Sequence, residues 1–313
     1  MFVEELARFA ATIGDPRCAA IAERLAAPPR VIVTGRRGVG RCTVAHALTR
    51  SGLAVTTSAD ADLGVHVLAD VVKPEDRAAV DAADRPVLLV LNKADLIATT
   101  APGRRQDGPT AAARARCVQL SARSGRPVEP LVGLLAVADL DDSRWALLGT
   151  LAAGNAVEPA DRGRLTDRLD TFGIRQAIAA IRRGATRADV TELLRDLSGI
   201  DAVVDALDVL GAPLRYRRVL GAVAELETMA VTDRRIAEFL THDDTVVARM
   251  RCAFDAAEAS GIDVDRADTA AAHLRRARHW QPRRRGPAGL RQACGNDIVR
   301  GSLRLWSTAG GTA

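Results

Sequence analysis

The chain has 313 residues, of which 48% are hydrophobic and only 3% aromatic, with a formal net charge of +5. That length allows one large domain or two ordinary ones, with a core built mostly from Ala, Val, Leu and Ile. The modest charge gives no ground for a nucleic-acid binder, and five scattered cysteines without a CxxC pair (Cys18, Cys42, Cys117, Cys252 and Cys294) argue against a disulfide framework or zinc site and for a reducing cytoplasm.

The N-terminal stretch MFVEELARFAATIGD is acidic and amphipathic, so it does not read as a signal peptide. No apolar run reaches the ~18–20 residues of a membrane span. Residues 2–26 carry apolar side chains at helical spacing, broken by GDP at 14–16, which predicts two short helices. VIVT (31–34) is a β-branched run and reads as a buried strand. GRRGVG follows it, and CTVAHALTR (42–50) has a helical pattern. Further strands are predicted near 53–57, over 63–71, over 86–92 and over CVQLSA (117–122), with a helix at RAAVDAAD. The polar stretch 101–113 reads as a loop and part of a helix, and VEPLVGLLAVADL (128–140) as a helix. Strands alternating with helices imply a parallel sheet covered on both faces. The fold class is therefore α/β over residues 30–142. From 143 to 313 the pattern is all helical, with breaks expected at Gly173, Gly184, Gly199, Gly211/Pro213 and Gly261, and a capping box starting at Thr186. The helices of residues 1–29 are expected to pack with this bundle.

The strand, Gly-rich turn and helix at 31–50 set the context of a phosphate-binding loop, G-x-x-x-x-G-K-[ST]. Gly35, Gly38 and Gly40 let backbone N–H groups turn inward and make an anion nest at a helix N-terminus. Two positions depart from the pattern. Arg41 stands where Lys belongs; it keeps the charge, but its longer, forked guanidinium is not an equivalent. Cys42 stands where a hydroxyl would bind Mg²⁺, and soft sulfur is a poor ligand for that hard ion. Thr43 is one residue further on. Taken alone, GRRGVG reads equally well as a tight strand-to-helix turn.

VLNKADL (90–96) resembles the N-K-x-D motif of the P-loop GTPase superfamily (TRAFAC type), including the strand before it. QLSARSG resembles that family's S-A-[KL] motif. The resemblance implies that Asp95 reads the guanine edge, that Asn92 holds the loop, that the Lys93 stem packs on the base, and that Ser121 and Ala122 lie near the guanine O6. The chain has only two lysines, Lys73 and Lys93, and one of them sits here. The implied cofactor is GTP or GDP. Asn92 follows Gly40 by only about fifty residues, so the segment that carries the switch Thr and the DxxG strand end in working GTPases is missing. The nearest candidate, DADLG at 60–64, has the wrong spacing, and Asp60 and Asp62 read better as caps than as metal partners. Phosphoryl transfer rests on positioning and charge neutralisation by Lys, Mg²⁺ and a held water. With Lys and the Mg²⁺ hydroxyl replaced, hydrolysis is expected to be slow or absent, and a Mg²⁺ requirement is doubtful.

Helices before such a domain and a long helical tail after it resemble bacterial dynamin-like GTPases in outline, and an Arg-rich, Lys-poor composition fits a GC-rich bacterial coding bias. HLRRARHWQPRRRGPAGLRQ (273–292) sets seven arginines around Trp280, a mix suited to an anionic membrane surface or, equally, to a solvated Arg-rich helix end. The expected location is cytoplasmic, with peripheral membrane contact as the variant that segment allows. Two readings stand. One is a guanine-nucleotide-binding protein that regulates a complete GTPase as its heterodimer partner. The other is a nucleotide-free pseudo-GTPase working as a scaffold through its helical bundle. An RNA-associated GTPase is disfavoured for want of a KH or OB module. The five histidines (His46, His66, His242, His273 and His279) show neither metal-ligand spacing nor a nucleophile elbow.

Overall fold

A computed structural model describes residues 1–100, 108–285 and 289–310. The chain divides into two compact units: residues 1–28 with 209–313, and residues 29–208. The sequence-based division at 142/143 differs from this one, because the helices just after 142 pack with the sheet.

The helical unit begins with α1 (Phe2–Ile13) and α2 (Pro16–Ala26). Gly14 ends α1 in the left-handed conformation, and Asp15 caps α2 by accepting the Arg17 N–H at 2.8 Å.

The sheet unit opens with β1 (Arg30–Gly35), α3 (Arg41–Arg50), β2 (Ala54–Thr56), β3 (Leu63–Leu68), α4 (Pro74–Asp81) and β4 (Val87–Asn92). It continues with α5 (Ala94–Thr100), α6 (Gly108–Ser124), β5 (Val128–Leu131) and the short α7 (Gly133–Ala136). The five strands are all parallel, in the order β2-β1-β3-β4-β5. Every residue of β3 and β4 is buried, as the largely apolar runs LGVHVL and VLLVLN, interrupted only by His66 and Asn92, require of strands covered on both faces. Gly35 closes β1 at φ 135°; a Cβ there would lie 2.6 Å from the Val67 carbonyl of β3.

Two elements differ from the sequence reading. The strand expected over 117–122 lies within α6. Ala113, Cys117 and Leu120 face inward at helical spacing while Val118 is 69% exposed, and the short run CVQLSA fits either period. The helix expected over 128–140 begins as β5. Pro130 sits on this edge strand, the place in a sheet where a missing N–H is tolerated. The loop predicted over 101–113 lies largely outside the described residues.

Next come α8 (Asp142–Ala152), α9 (Pro159–Arg182) and α10 (Arg187–Ser198), which bury Leu148, Leu165, Leu169, Phe172, Val190 and Leu194 with Leu135 in one core. The Thr186 capping box forms: the Thr186 N–H donates to Asp189 Oδ2 at 2.7 Å, and the Asp189 N–H donates to Thr186 Oγ1 at 3.3 Å. Gly184 and Gly199 end helices as expected. Gly173 does not. It lies inside α9, where a Cβ would come 2.5 Å from Leu135 Cδ2, so it serves close packing.

α11 (Ile200–Ala230) runs on through Gly211 and Pro213, again without the predicted break, and the division between the units falls within it. The helical unit is completed by α12 (Arg234–Thr241), α13 (Asp243–Glu258), α14 (Ala270–Trp280), a 3₁₀ turn at Gln281–Arg285 and α15 (Leu290–Thr308). Phe2, Leu6, Ile21, Leu226, Ile236 and Phe239 form one of its cores, so α1 and α2 pack on the end of α11 and on α12. Around a second core, Tyr216 donates to Asp297 Oδ2 at 2.9 Å and Arg249 pairs with Asp297 Oδ1 at 2.7 Å. Among the described residues, no helix is long and apolar enough to cross a membrane.

Candidate functional site

In an all-parallel sheet, ligands bind outside the carboxyl ends of the strands. A cavity of about 560 Å³ lies there, walled by the segments that follow β1, β4 and β5. Of the sequence-predicted residues, Gly38, Gly40, Arg41, Cys42, Thr43, Asn92, Lys93 and Asp95 line it. Gly35 does not; it lies one turn earlier, at the end of β1. Ser121 and Ala122 do not either. They sit on α6 rather than after a strand, and the wall beyond β5 is made instead by Val132, Gly133 and Leu134.

The loop after β1 is shaped by glycine. Gly38 has φ 84° and Gly40 has φ 93°. Gly40 is the N-cap of α3 and offers no side chain to its first turn, so the helix presents uncapped N–H groups at the cavity wall. Arg37 and Arg41 are exposed beside it. Cys42 is the one exposed cysteine of the five.

Asn92, the last residue of β4, ties the three segments together. It is 3% exposed. Its Nδ2 donates to the Val39 carbonyl at 2.9 Å, and its Oδ1 accepts the Gly133 N–H at 3.0 Å. Both glycines beside it are needed at close range: a Cβ at Gly40 would overlap Asn92 Nδ2, and one at Gly133 would lie 2.9 Å from Asn92 Oδ1.

Lys93 follows at φ 60°, a left-handed conformation rare for a residue with a side chain. Asp95 comes next, 7% exposed. Burial raises the pKa of its carboxyl above the ordinary aspartate value, and the neighbouring Asp170 carboxylate raises it further. A raised carboxyl pKa contributes stability below the ordinary range and loses it as pH rises through the raised titration. Asp95→Asn is therefore expected to melt a few degrees above wild type at pH 7–8, with the gap narrowing as pH falls toward the ordinary aspartate range. Thermal unfolding across that pH range checks it.

Asp170 escaped the sequence reading. It lies in α9 at φ 55°, ψ 169°, a kink inside a stretch whose apolar pattern reads as continuous helix. The available signal was the D-T-F-G stretch, cap chemistry in mid-helix; the Thr171 N–H and hydroxyl both donate to Asp170 Oδ1.

Behind the loop, a buried chain of polar groups crosses from β1 to α4. Thr34 Oγ1 meets His66 Nδ1 at 3.0 Å, and His66 Nε2 meets Asp76 Oδ1 at 3.1 Å. Asp76, 1% exposed, also accepts from Arg36 Nε at 3.0 Å and from the Lys73 N–H at 2.9 Å. Asp60 and Asp62 are engaged with Arg30, whose backbone N–H donates to Asp62 Oδ2 at 2.8 Å. Among the described residues no group of three or more His, Cys, Asp or Glu side chains gathers as a metal site.

In the basic segment 273–292, Trp280 is 1% exposed and belongs to a core, and Arg276 is buried with its Nε donating to Ser302 Oγ at 2.9 Å. Neither presents itself to a surface; residues 286–288 lie outside the described residues. No family model matches the chain, and no curated protein matches it.

Proposed function

We propose that the sheet unit binds a guanine nucleotide and turns it over slowly or not at all. The carrying observation is Asn92, whose amide joins the glycine-shaped loop at α3 to the segment after β5. The cavity lining thereby combines two unlike groups. The α3 N-terminus, Gly38, Gly40, Arg37 and Arg41 suit an anion. Asp95 is a carboxylate held out of water, suited to paired N–H donors such as those of guanine. The phosphates would be held by the loop N–H groups and Arg41, and the base by Asp95 with Lys93 beside it.

The donor set fits the nucleotide better than it fits Mg²⁺. Cys42 stands where a hydroxyl oxygen would be wanted, and sulfur is a poor partner for that ion. Without that ion and the loop lysine, the charge that builds up in phosphoryl transfer is only partly neutralised. In this reading the protein regulates a GTPase that carries the full machinery. One observation favours the second reading, a nucleotide-free scaffold: Ser121 and Ala122, the residues assigned to the guanine O6, lie on α6 away from the cavity.

The test is calorimetric titration with GDP, GTP and ATP, with and without Mg²⁺, on wild type and Asp95→Ala. Expected are micromolar binding of GDP and GTP that is indifferent to Mg²⁺, no heat with ATP, and a loss of at least about a hundredfold in Asp95→Ala. GDP should also slow alkylation of Cys42, which opens on the same cavity. Absence of binding at millimolar guanine nucleotide would leave the scaffold reading.

A further inference from the structure

Asp170 and Lys93 are the two non-glycine residues with positive φ among those described, and both line the same cavity. Asp170 adopts φ 55°, ψ 169°, beside the corner of the backbone map that is essentially reserved for glycine. A long helix that accepts such a residue in its middle places something there that a regular turn would not. What it places is a second carboxylate on the lining of the cavity that Asp95 also lines. Thr171 holds one oxygen, Oδ1, through its N–H and hydroxyl, which fixes the group in orientation.

Two carboxylates on the lining of one cavity, which a helix N-terminus and arginines also line, define a ligand by its hydrogens. Once both are ionised they need several N–H donors between them. Guanine offers three on one edge, N1–H and the two hydrogens of the exocyclic amine. Hypoxanthine offers only N1–H there. Adenine presents an unprotonated ring nitrogen that a carboxylate repels.

We infer that Asp170 is a specificity-determining residue of the base subsite, accepting a hydrogen bond from the guanine exocyclic amine while Asp95 takes the ring N–H. This rests on the guanine-nucleotide reading above. It makes the amine worth more here than a single carboxylate would make it, and it explains why the kink in α9 coincides with the cavity.

The experiment compares GDP with IDP, which lacks the amine, on wild type, Asp170→Gly and Asp170→Asn. Glycine suits the backbone at this position and removes the acceptor; asparagine tolerates positive φ and keeps the shape. Expected is a loss of about tenfold in GDP affinity for Asp170→Gly, with IDP affinity changed less than about twofold, and a smaller loss in the same direction for Asp170→Asn. Both variants should melt no lower than wild type. Equal weakening of GDP and IDP would assign Asp170 a structural role and overturn the inference, as would unchanged or tighter GDP binding, the latter showing that Asp170 obstructs the cavity. If wild type binds GDP and the variants do not differ, only this inference falls; if wild type binds no guanine nucleotide, the reading beneath it falls as well.

Discussion

Asn92→Ala is expected to destabilise the sheet unit by about 3 kcal/mol and to abolish nucleotide binding. Removing the amide strands two backbone groups at once, the Val39 carbonyl and the Gly133 N–H, both of which Asn92 holds in a buried setting. Each stranded group costs roughly 1–3 kcal/mol when water cannot replace the partner. The cavity limits that cost by admitting water, which places the expected value in the lower half of the summed range. The effect on binding should exceed the effect on folding. Gly38 and Gly40 have wide conformational freedom, and the observed loop is one choice among many. Asn92 is the side chain that selects it. Asparagine-to-aspartate at this position separates the two effects: it retains an acceptor for Gly133 and loses the donor to Val39. Chemical denaturation and nucleotide titration on the same preparations read both quantities. A stable Asn92→Ala that binds GDP normally would show that the loop holds its shape unaided.

The legible parts of the chain share a physical cause. β1, β3 and β4 are short runs of β-branched and aliphatic residues, and a strand buried on both faces leaves that pattern and little else. Asn92, Lys93 and Asp95 were legible because they end such a strand or follow it directly, so the strand end fixes where they lie. Beyond β4 that anchor is gone. CVQLSA is too short for its period to discriminate, and the choice between strand and helix was made by Ala113, Cys117 and Leu120 falling on one face of α6. The same error displaced Ser121 and Ala122 from the site. Asp170 was illegible for a different reason. Apolar periodicity reports which face is buried, and it continues across the kink because Leu165, Leu169 and Phe172 all face the same core. Nothing in that signal records one residue's backbone angles. The unit division was hidden for another reason: Gly211 and Pro213 suggest a break, yet α11 runs through them and through the division as one helix.

Loss of Asp76 is expected to cost the sheet unit about 3–4 kcal/mol, and the same carboxylate is expected to make that unit acid-labile. Burial alone would raise its pKa. The Lys73 N–H, the His66 ring and the Arg36 guanidinium outweigh burial and hold the carboxyl below its ordinary value. The sign follows from linkage: a depressed folded-state pKa contributes stability that is present above the ordinary aspartate range and is lost as pH falls through the depressed value. Wild-type stability should therefore decline below pH ~4, and Asp76→Asn, which has no such titration, should decline less steeply there while starting lower at neutral pH. Asp76→Ala goes further, leaving the Arg36 guanidinium, the Lys73 N–H and His66 Nε2 without their acceptor. Arg36 is the first residue of the turn that leads from β1 to Gly38 and Gly40, and Asp76 is what holds its side chain against α4. Asn92 fixes the far side of that turn and Asp76 the near side. Asp76→Ala should thus weaken anion binding at the cavity by about tenfold in a protein that still folds, without changing the preference for GDP over IDP, because neither Asp95 nor Asp170 touches this chain of bonds. A change in that preference would mean that the loop and the carboxylate pair are coupled through a route other than the cavity.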